Sequence, residues 1–484
     1  MLNKLLTKKN TIIFVSALTL CRCYVNATLG LHPDETYYWL WSHHLGLSYY
    51  DHPAMVAYFI RATTVFSDAE FWVRLSGIIV TLASSALIWL LTMKMFKNEK
   101  AASGSVMMLN IYPLTISGAL IITPDVPSFF FWSLCAYLAW QIFSEKKAYY
   151  WYLLGISFGL SLLSKYTSVL FAPCLLLFML VTDERKWLKT LHPYLAGLIA
   201  AVVFLPVIIW NMRYEWVSFK FQLGHGLGGS AYSLAKLLEY TGGQMMVLGP
   251  FAWIAAVWAA TALLFRKDKA GLFLSLTSLP VILFFGFTSL KNTAGPNWPA
   301  LAYFTATIAL CVYFLDGSRA KAAIWSFVFL VTFGLSALAI AHTRFGVIPL
   351  TKLNKEWVLT DATNWFYGWK EFAGELSKYQ EIDFILTPSH QISSELEYYM
   401  KESKPVHVDL NITRFNQYNL WPSPVEKGKK AMYVSFYGEA LDAYKSYIPE
   451  PDALFYFTVS RPGRQAKSGV SAIRTYRVVY GTCR

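Results

Sequence analysis

Long apolar stretches follow one another from residue 11 to residue 341, separated by short polar segments. A helix needs about 20 consecutive apolar residues to cross a bilayer, because the hydrocarbon core is about 30 Å thick. Hydrophobic residues make up 55% of the chain and charged residues only 15%, whereas soluble proteins carry about 25% charged residues. The sequence therefore predicts an all-α polytopic membrane protein with about eleven transmembrane helices over residues 1–341.

Charges at the ends of these stretches predict one orientation. The N-terminus is basic, and each even-numbered stretch ends in a cluster of Lys or Arg, as the positive-inside rule expects of cytoplasmic loops. This topology explains the net charge of +13 better than a nucleic-acid partner does. The first stretch lacks a small-residue cleavage site, so we expect an uncleaved transmembrane helix. The predicted spans are residues 11–30, 70–93, 101–121, 126–143, 150–164, 167–182, 191–210, 243–265, 271–289, 298–315 and 323–341.

After residue 341 the composition becomes polar, and short β-like runs alternate with helical stretches. This pattern predicts a small α/β domain over residues 342–484, on the outer side of the membrane. Of six cysteines only Cys483 lies in this region, so we expect no disulfide within it. The expected strands are 383–386, 406–410, 431–435, 454–457 and 475–480, and the expected helices are 371–378 and 393–401.

The first outer loop, residues 32–61, concentrates acids, histidines and aromatic residues beside the first span. We expect two short interfacial helices there, broken around residues 47–53. Asp34 and Glu35 follow Pro33 at a predicted helix start, where carboxylates also interact favourably with the helix dipole. A helix cap needs only one acid. Asp34 is therefore predicted to be a general base, which deprotonates an acceptor hydroxyl for attack on a sugar C1. Glu35 is a further catalytic candidate, and the capping role remains open for it.

Asp125 stands between two prolines, at a predicted outer end of a span. One interpretation is another helix cap. The functional interpretation is a second catalytic carboxylate on the same face as Asp34, which orients the base or the acceptor, or holds a divalent cation. No other metal site or cofactor is predicted.

Several cations are expected on that outer face, where the positive-inside rule makes lysines less common. The functional interpretation is that these cations bind the phosphate of a lipid-linked donor, because a phosphate leaving group needs positive charge to offset its developing negative charge. Snorkelling or ion pairing is the alternative explanation. The Gly-rich segment 211–230 is expected to be a mobile loop or a plain linker. The predicted phosphate-binding residues are Lys165, Lys291, His225, His52 and Arg74.

Five segments taken together resemble the GT-C superfamily of polyprenyl-phosphate-sugar glycosyltransferases. They are HPDETYYWLW, SYYDHP, TPDVPSFFFW, LLSKYT and KNTAGPNWPA. The resemblance covers about residues 1 to 345 and is strongest to bacterial family-39-like enzymes, the lipid A aminoarabinose transferases and the lipopolysaccharide galacturonosyltransferases. Protein O-mannosyltransferases are more distant relatives.

The resemblance implies an inverting transfer from a polyprenyl-phosphate sugar to lipid A, lipopolysaccharide or, as an alternative, protein. The reaction would take place on the periplasmic face of the bacterial inner membrane. Asp34 and Asp125 match the two acidic motifs, and Lys165, His225 and Lys291 match basic residues that contact donor phosphate. His52 departs from the pattern, because relatives carry a lysine there. A lipid-linked sugar transporter or flippase is the alternative of another class, but its charges would lie near the bilayer midplane in two related halves.

Overall fold

Helices form most of the chain in a computed structural model, which describes residues 5–228, 232–266, 268–350, 355–379, 381–401, 406–410, 414–421, 425–439, 442–461 and 472–484. In chain order the α-helices are α1 (Lys8–Thr28), α2 (Pro33–His43), α3 (Met55–Thr63), α4 (Glu70–Phe96), α5 (Glu99–Ile111), α6 (Pro113–Leu120), α7 (Asp125–Glu145), α8 (Tyr149–Leu162), α9 (Phe171–Val181), α10 (His192–Arg213), α11 (Val217–Leu227), α12 (Leu234–Leu248), α13 (Pro250–Arg266), α14 (Lys269–Leu276), α15 (Leu279–Ser289), α16 (Tyr303–Phe314), α17 (Arg319–Phe345), α18 (Lys355–Thr360), α19 (Trp369–Leu376) and α20 (His390–Tyr399).

The number of helices long enough to cross a bilayer in the described residues differs from the number of spans that the sequence predicts. Over the described residues, six helical segments are long and apolar enough to cross a bilayer, or eight if each of two sharply bent pairs counts as one span. The six are α1, α4, α7, α10, the continuous stretch Lys269–Ser289, and α17. The predicted span 243–265 contains a bend of 101° between α12 and α13. The prediction of eleven spans is not confirmed, whereas the all-α multi-pass architecture is.

The predicted span 101–121 is broken at Pro113, where α5 ends and α6 begins. Proline lacks a backbone N–H, so carbonyl groups at the end of α5 lose the partners that a continuous helix would supply. Side chains replace these partners in the apolar interior, where an unsatisfied carbonyl is costly. The carbonyl oxygens of Leu109, Asn110 and Ile111 accept hydrogen bonds from Thr115, Arg22 and Ser336, respectively.

Arg22 of α1 joins this break to two other helices. Its guanidinium is buried, and it donates to Asn110 Oδ1 at 2.9 Å and to the Asn110 carbonyl at 2.8 Å. The Asn110 amide in turn donates to Ser85 Oγ of α4 at 2.7 Å. A buried charge is tolerated only when it is paired or hydrogen-bonded, so this network fixes α1, α4 and the broken helix against one another.

The chain folds into two compact units. The first comprises Met1–Tyr24, Gly46–Thr63 and Arg74–Ala337, and the second comprises Val25–Leu45, Thr64–Val73 and Leu338–Arg484. The second unit therefore combines the C-terminal part of the chain with α2, the helix that carries Asp34.

A five-stranded sheet forms the centre of the second unit. Its strands are β1 (Phe384–Thr387), β2 (Val406–Asp409), β3 (Lys430–Phe436), β4 (Pro451–Ser460) and β5 (Ala472–Thr482), in the order β2-β1-β3-β5-β4. β1 pairs in parallel with β2 and β3, and β5 pairs antiparallel with β3 and β4. All five predicted strands are present, and α19 and α20 match the two predicted helices, so the small α/β fold is confirmed.

Candidate active site

Asp125 is the first residue of α7, and its carboxylate is held by two side chains from distant segments. Lys165 Nζ donates to Oδ1 at 2.6 Å, and Asn297 Nδ2 donates to Oδ2 at 2.7 Å. Lys165 lies in extended backbone just after α8, and Asn297 lies in the segment that follows α15. Three parts of the chain thus meet at one carboxylate.

This cluster is largely shielded from solvent. The side chain of Lys165 is 7% exposed and that of Asp125 is 19% exposed. A buried ammonium requires a charge partner, and Asp125 supplies it here. The carboxylate bonds to Lys165 and Asn297 rather than to the amides of its own helix, so its contacts are those of a polar cluster between helices.

Beside Asp125 lies a small pocket. Three hydroxyl-bearing side chains and a majority of apolar residues form its wall, and Asp125 is the charged residue among them. The pocket therefore suits an apolar chain whose polar end lies at the carboxylate. Its walls come from α4, from the broken pair α5 and α6, and from α7: Val80, Thr81, Ser84, Leu109, Leu114, Thr115, Gly118, Asp125, Val126 and Phe129, together with Ala300.

His52 lies in the segment between α2 and α3, which α11 holds in place. Gln222 Nε2 of α11 donates to the Asp51 carbonyl at 2.6 Å, and the rings of Tyr50 and Phe221 lie 4.8 Å apart. The expected break between two short helices at residues 47–53 is confirmed. The expectation of a loop or linker over residues 211–230 is wrong for Val217–Leu227, which is helical. His225 belongs to this helix, and its side chain lies outside the described part of the chain.

The other two predicted phosphate ligands occupy different surroundings. Lys291 Nζ lies 4.7 Å from the centre of the Tyr232 ring, a cation–π arrangement. The Lys291 carbonyl accepts a hydrogen bond from Lys236 Nζ at 2.6 Å. Arg74 is buried within α4, with 1% of its surface exposed. Phosphate binding by these residues stays a prediction.

Asp34 and Glu35 lie at the start of α2, in the second unit. His32 is the N-cap: its Nδ1 accepts from the Asp34 amide at 3.2 Å, and its own amide donates to Glu35 Oε2 at 2.9 Å. This reciprocal pair is a capping box. Glu35 is fully buried, so its position is explained by the cap. The Asp34 side chain does not complete the capping box. It is 48% exposed, and its Oδ2 lies 3.7 Å from His32 Nδ1.

Two of the predicted site residues contact each other within the first unit. Asp125 and Lys165 form an ion pair, whereas a convergence of Asp34 with this pair stays a prediction. Sequence reasoning did not single out Asn297 or His32. Asn297 lies within the KNTAGPNWPA segment and His32 opens the HPDE segment, so the motifs contained both residues without revealing their partners.

The described residues contain no cluster of metal ligands, because no three His, Cys, Asp or Glu side chains come together there. At Asp125 each carboxylate oxygen already accepts a hydrogen bond. A divalent cation at this position would have to compete with the Lys165 ammonium and the Asn297 amide.

The fold agrees with the resemblance to the GT-C superfamily that the sequence predicts. It matches the crystal structure of ArnT from Cupriavidus metallidurans in the apo state with a TM-score of 0.69, over 97% of each chain and at 16% sequence identity. The crystal structure of the same protein bound to undecaprenyl phosphate gives a TM-score of 0.69 at 14% identity, again over 97% of each chain. The predicted resemblance to this superfamily is confirmed, and the chain is a multi-pass membrane protein.

Sequence relatives agree with the structural match. Residues 51–210 match the family described as dolichyl-phosphate-mannose-protein mannosyltransferase. The chain is 28% identical over 287 residues to the lipid A galacturonosyltransferase RgtD of Rhizobium johnstonii, a match that covers 58% of this chain and 60% of the relative. It is 26% identical over 193 residues to the undecaprenyl phosphate-alpha-4-amino-4-deoxy-L-arabinose arabinosyl transferase of Pseudomonas paraeruginosa, which covers 36% of this chain and 35% of that relative. The matches thus span less than two thirds of these relatives.

Proposed function

We propose that this chain is an inverting glycosyltransferase that moves a sugar from a polyprenyl-phosphate donor to lipid A or lipopolysaccharide. The observation that carries the proposal is the largely shielded Asp125–Lys165–Asn297 cluster, in which Asp125 also lies in the wall of an apolar pocket. Relatives whose names specify lipid A or undecaprenyl-phosphate sugars support the choice of donor and acceptor.

The proposed reaction is a single displacement at the sugar C1. Asp34 takes the proton of the acceptor hydroxyl while the hydroxyl oxygen attacks C1, and the bond from C1 to the phosphate oxygen breaks. Attack from the face opposite the phosphate inverts the configuration. The half-exposed carboxylate of Asp34 is accessible to such a hydroxyl, as a base must be.

Negative charge develops on the departing lipid phosphate. The Lys165 ammonium uses one N–H for Asp125, which leaves two N–H groups for a phosphate oxygen. Asp125 then acts as the group that orients this ammonium. Lys291, His225, His52 and Arg74 are further proposed sources of positive charge. Phosphate stabilised in this way leaves without a general acid.

The apolar pocket supports a lipid-linked substrate. Its wall accepts a hydrocarbon chain, and its charged residue Asp125 would lie near the polar head of that lipid. A donor delivered within the bilayer needs no nucleotide outside the cell, so we place the site on the periplasmic face of the inner membrane. The basic ends of alternate predicted spans support this orientation.

Substitution of Asp34 tests the chemistry. Asp34→Asn should abolish sugar transfer in a reconstituted assay and leave binding of the lipid-phosphate sugar unchanged, because the amide cannot accept the proton. Glu35→Gln is the matched control: glutamine still completes the capping box, so transfer should persist. Retained transfer by a folded Asp34→Asn variant would reject Asp34 as the base.

The acceptor is tested by mass spectrometry of lipid A and of envelope glycoproteins, with and without the gene. Loss of a sugar from lipid A or lipopolysaccharide supports the proposal. Loss from a glycoprotein instead would favour a protein acceptor, which the matched family description names. Translocation of the donor without a glycosylated product would indicate a flippase.

A further inference from the structure

Helix α2, which carries Asp34, packs along helix α20 of the C-terminal part of the chain. Ser394 of α20 is fully buried, and its hydroxyl faces the first turn of α2. Its Oγ lies 3.0 Å from Thr36 Oγ1 and 3.3 Å from the Pro33 carbonyl oxygen. These contacts reach the residues on both sides of Asp34.

The segment just before α2 also makes close contacts with the C-terminal part of the chain. The Leu31 amide donates to Tyr399 Oη at 2.9 Å. At Gly30, a Cβ atom would lie 3.2 Å from Tyr399 Oη and 2.6 Å from the Phe366 carbonyl oxygen, and the shorter of these distances is one that real Cβ atoms essentially never show. Only glycine therefore permits this approach between the segment before α2 and the C-terminal part of the chain.

The N-cap of α2 is also set from the C-terminal side. The His32 ring lies against the rings of Trp365 and Phe366, with centroid distances of 6.3 and 5.6 Å. The same ring accepts a hydrogen bond from the Asp34 amide. The orientation of the cap, and with it the start of the helix, thus depends on aromatic residues far along the chain.

The middle of α2 is anchored in the same unit. Tyr37 Oη accepts from the Gln417 amide at 2.8 Å, and Trp39 Nε1 donates to Asp68 Oδ1 at 2.9 Å. Tyr398 of α20 donates to the Asp68 carbonyl at 2.5 Å. Helix α2 is therefore fixed along its length.

We propose that the C-terminal α/β domain positions the candidate base: α20, through Ser394 and Tyr399, fixes the backbone that carries Asp34. This inference rests on the proposed function of Asp34. A half-exposed carboxylate gains little constraint from its own surroundings, so its placement depends on the helix beneath it. A displacement of about 1 Å in a reacting group is enough to cost about 100-fold in rate.

Helix α20 also contains a residue for a matched control variant. Ser393 is as deeply buried as Ser394, but its Oγ contacts Thr387 Oγ1 of β1 at 2.7 Å, inside the α/β domain. Ser394→Ala and Ser393→Ala each delete one buried hydroxyl from the same turn. Only the first variant should release the start of α2.

The test measures sugar transfer and hydrogen exchange on the full-length protein in lipid nanodiscs. Ser394→Ala should lower kcat about three- to tenfold and leave the donor KM within about twofold, and Tyr399→Phe added to it should lower kcat further. Ser394→Thr restores a hydroxyl and should recover most of the loss. Backbone exchange over residues 31–40 should rise in Ser394→Ala and stay unchanged in Ser393→Ala.

Equal losses of kcat in the Ser393 and Ser394 variants would overturn the proposal, because a general loss of stability would then explain both. Unchanged kcat and exchange in Ser394→Ala with Tyr399→Phe would overturn it as well. Failure of the proposed function is recognised separately, since Asp34→Asn would then retain transfer. The exchange measurement needs no activity, so it still decides in that case whether α20 holds α2.

Discussion

The ion pair of Asp125 and Lys165 allows structural and chemical roles to be separated by a double-mutant cycle. The perturbations are Asp125→Asn, Lys165→Met and the two combined. With Lys165 7% exposed and Asp125 19% exposed, each single change leaves a charge in a largely dry site. The double variant leaves none.

The expected magnitudes follow from this burial. Removing one partner of a buried ion pair costs about 3–5 kcal/mol, whereas replacing both by neutral groups is often nearly neutral. Asp125 retains Asn297 as a donor, so Lys165→Met should lie at the low end, at about 3 kcal/mol. The double variant should be more stable than either single variant, so the stability losses of the two single variants should be strongly non-additive.

Unfolding in mixed detergent micelles measures stability, and transfer of sugar from a radiolabelled polyprenyl-phosphate donor measures activity. All three variants should lose transfer, including the double variant whose stability is recovered. Additive losses of stability would show that the two groups do not interact as an ion pair. A stable and active double variant would refute the reasoning, because the pair would then serve the fold alone.

Three further predictions concern other parts of the chain. Arg22→Leu should destabilise the protein by about 2–4 kcal/mol in the same unfolding assay, because Asn110 loses two charge-assisted hydrogen bonds. Burial raises the pKa of Glu397 to about 7 despite a hydrogen bond from Tyr418. The stability that the neutral Glu397 carboxyl contributes is present below the unfolded pKa of about 4.5 and is lost as pH rises through 7. Thermal unfolding should therefore show a lower Tm at pH 8 than at pH 5. Glu397→Gln should reduce this difference in Tm. Gly30→Ala should lower both Tm and transfer, whereas Gly374→Ala, which adds a Cβ with nothing within 4 Å, should be tolerated.

The C-terminal domain shows what local patterns predict well. Short β-like runs at residues 431–435 and 475–480 became β3 and β5, which pair over seven positions. The proline and acids at residues 33–35 became a capped helix start. In each case the signal lies within a few neighbouring residues, because strand preference and helix capping depend on local sequence.

Helix continuity was predicted less well. The run 101–121 reads as one span, yet Pro113 divides it, and the break is tolerated because side chains such as Arg22 and Ser336 satisfy the free carbonyls. The Gly-rich segment 211–230 reads as a loop or linker, yet Val217–Leu227 within it forms a helix. Hydropathy and glycine content do not record such tertiary partners, and so the number of spans could not be read from them.

The length of the apolar stretches, the charges at their ends and the polar composition after residue 341 determined by themselves that this chain is a multi-pass helical membrane protein with a small α/β domain, and they marked the acidic motifs. Only the tertiary structure decided the partners: Asp125 meets Asn297 across 172 residues of sequence, and the cap of the Asp34 helix lies against aromatic residues near position 365. The physical reason is that burial and backbone hydrogen bonding act on short segments, whereas a polar site requires distant segments to pack at distances of 2.6–2.7 Å. Those distances are set by the packing of whole helices, which no local pattern specifies.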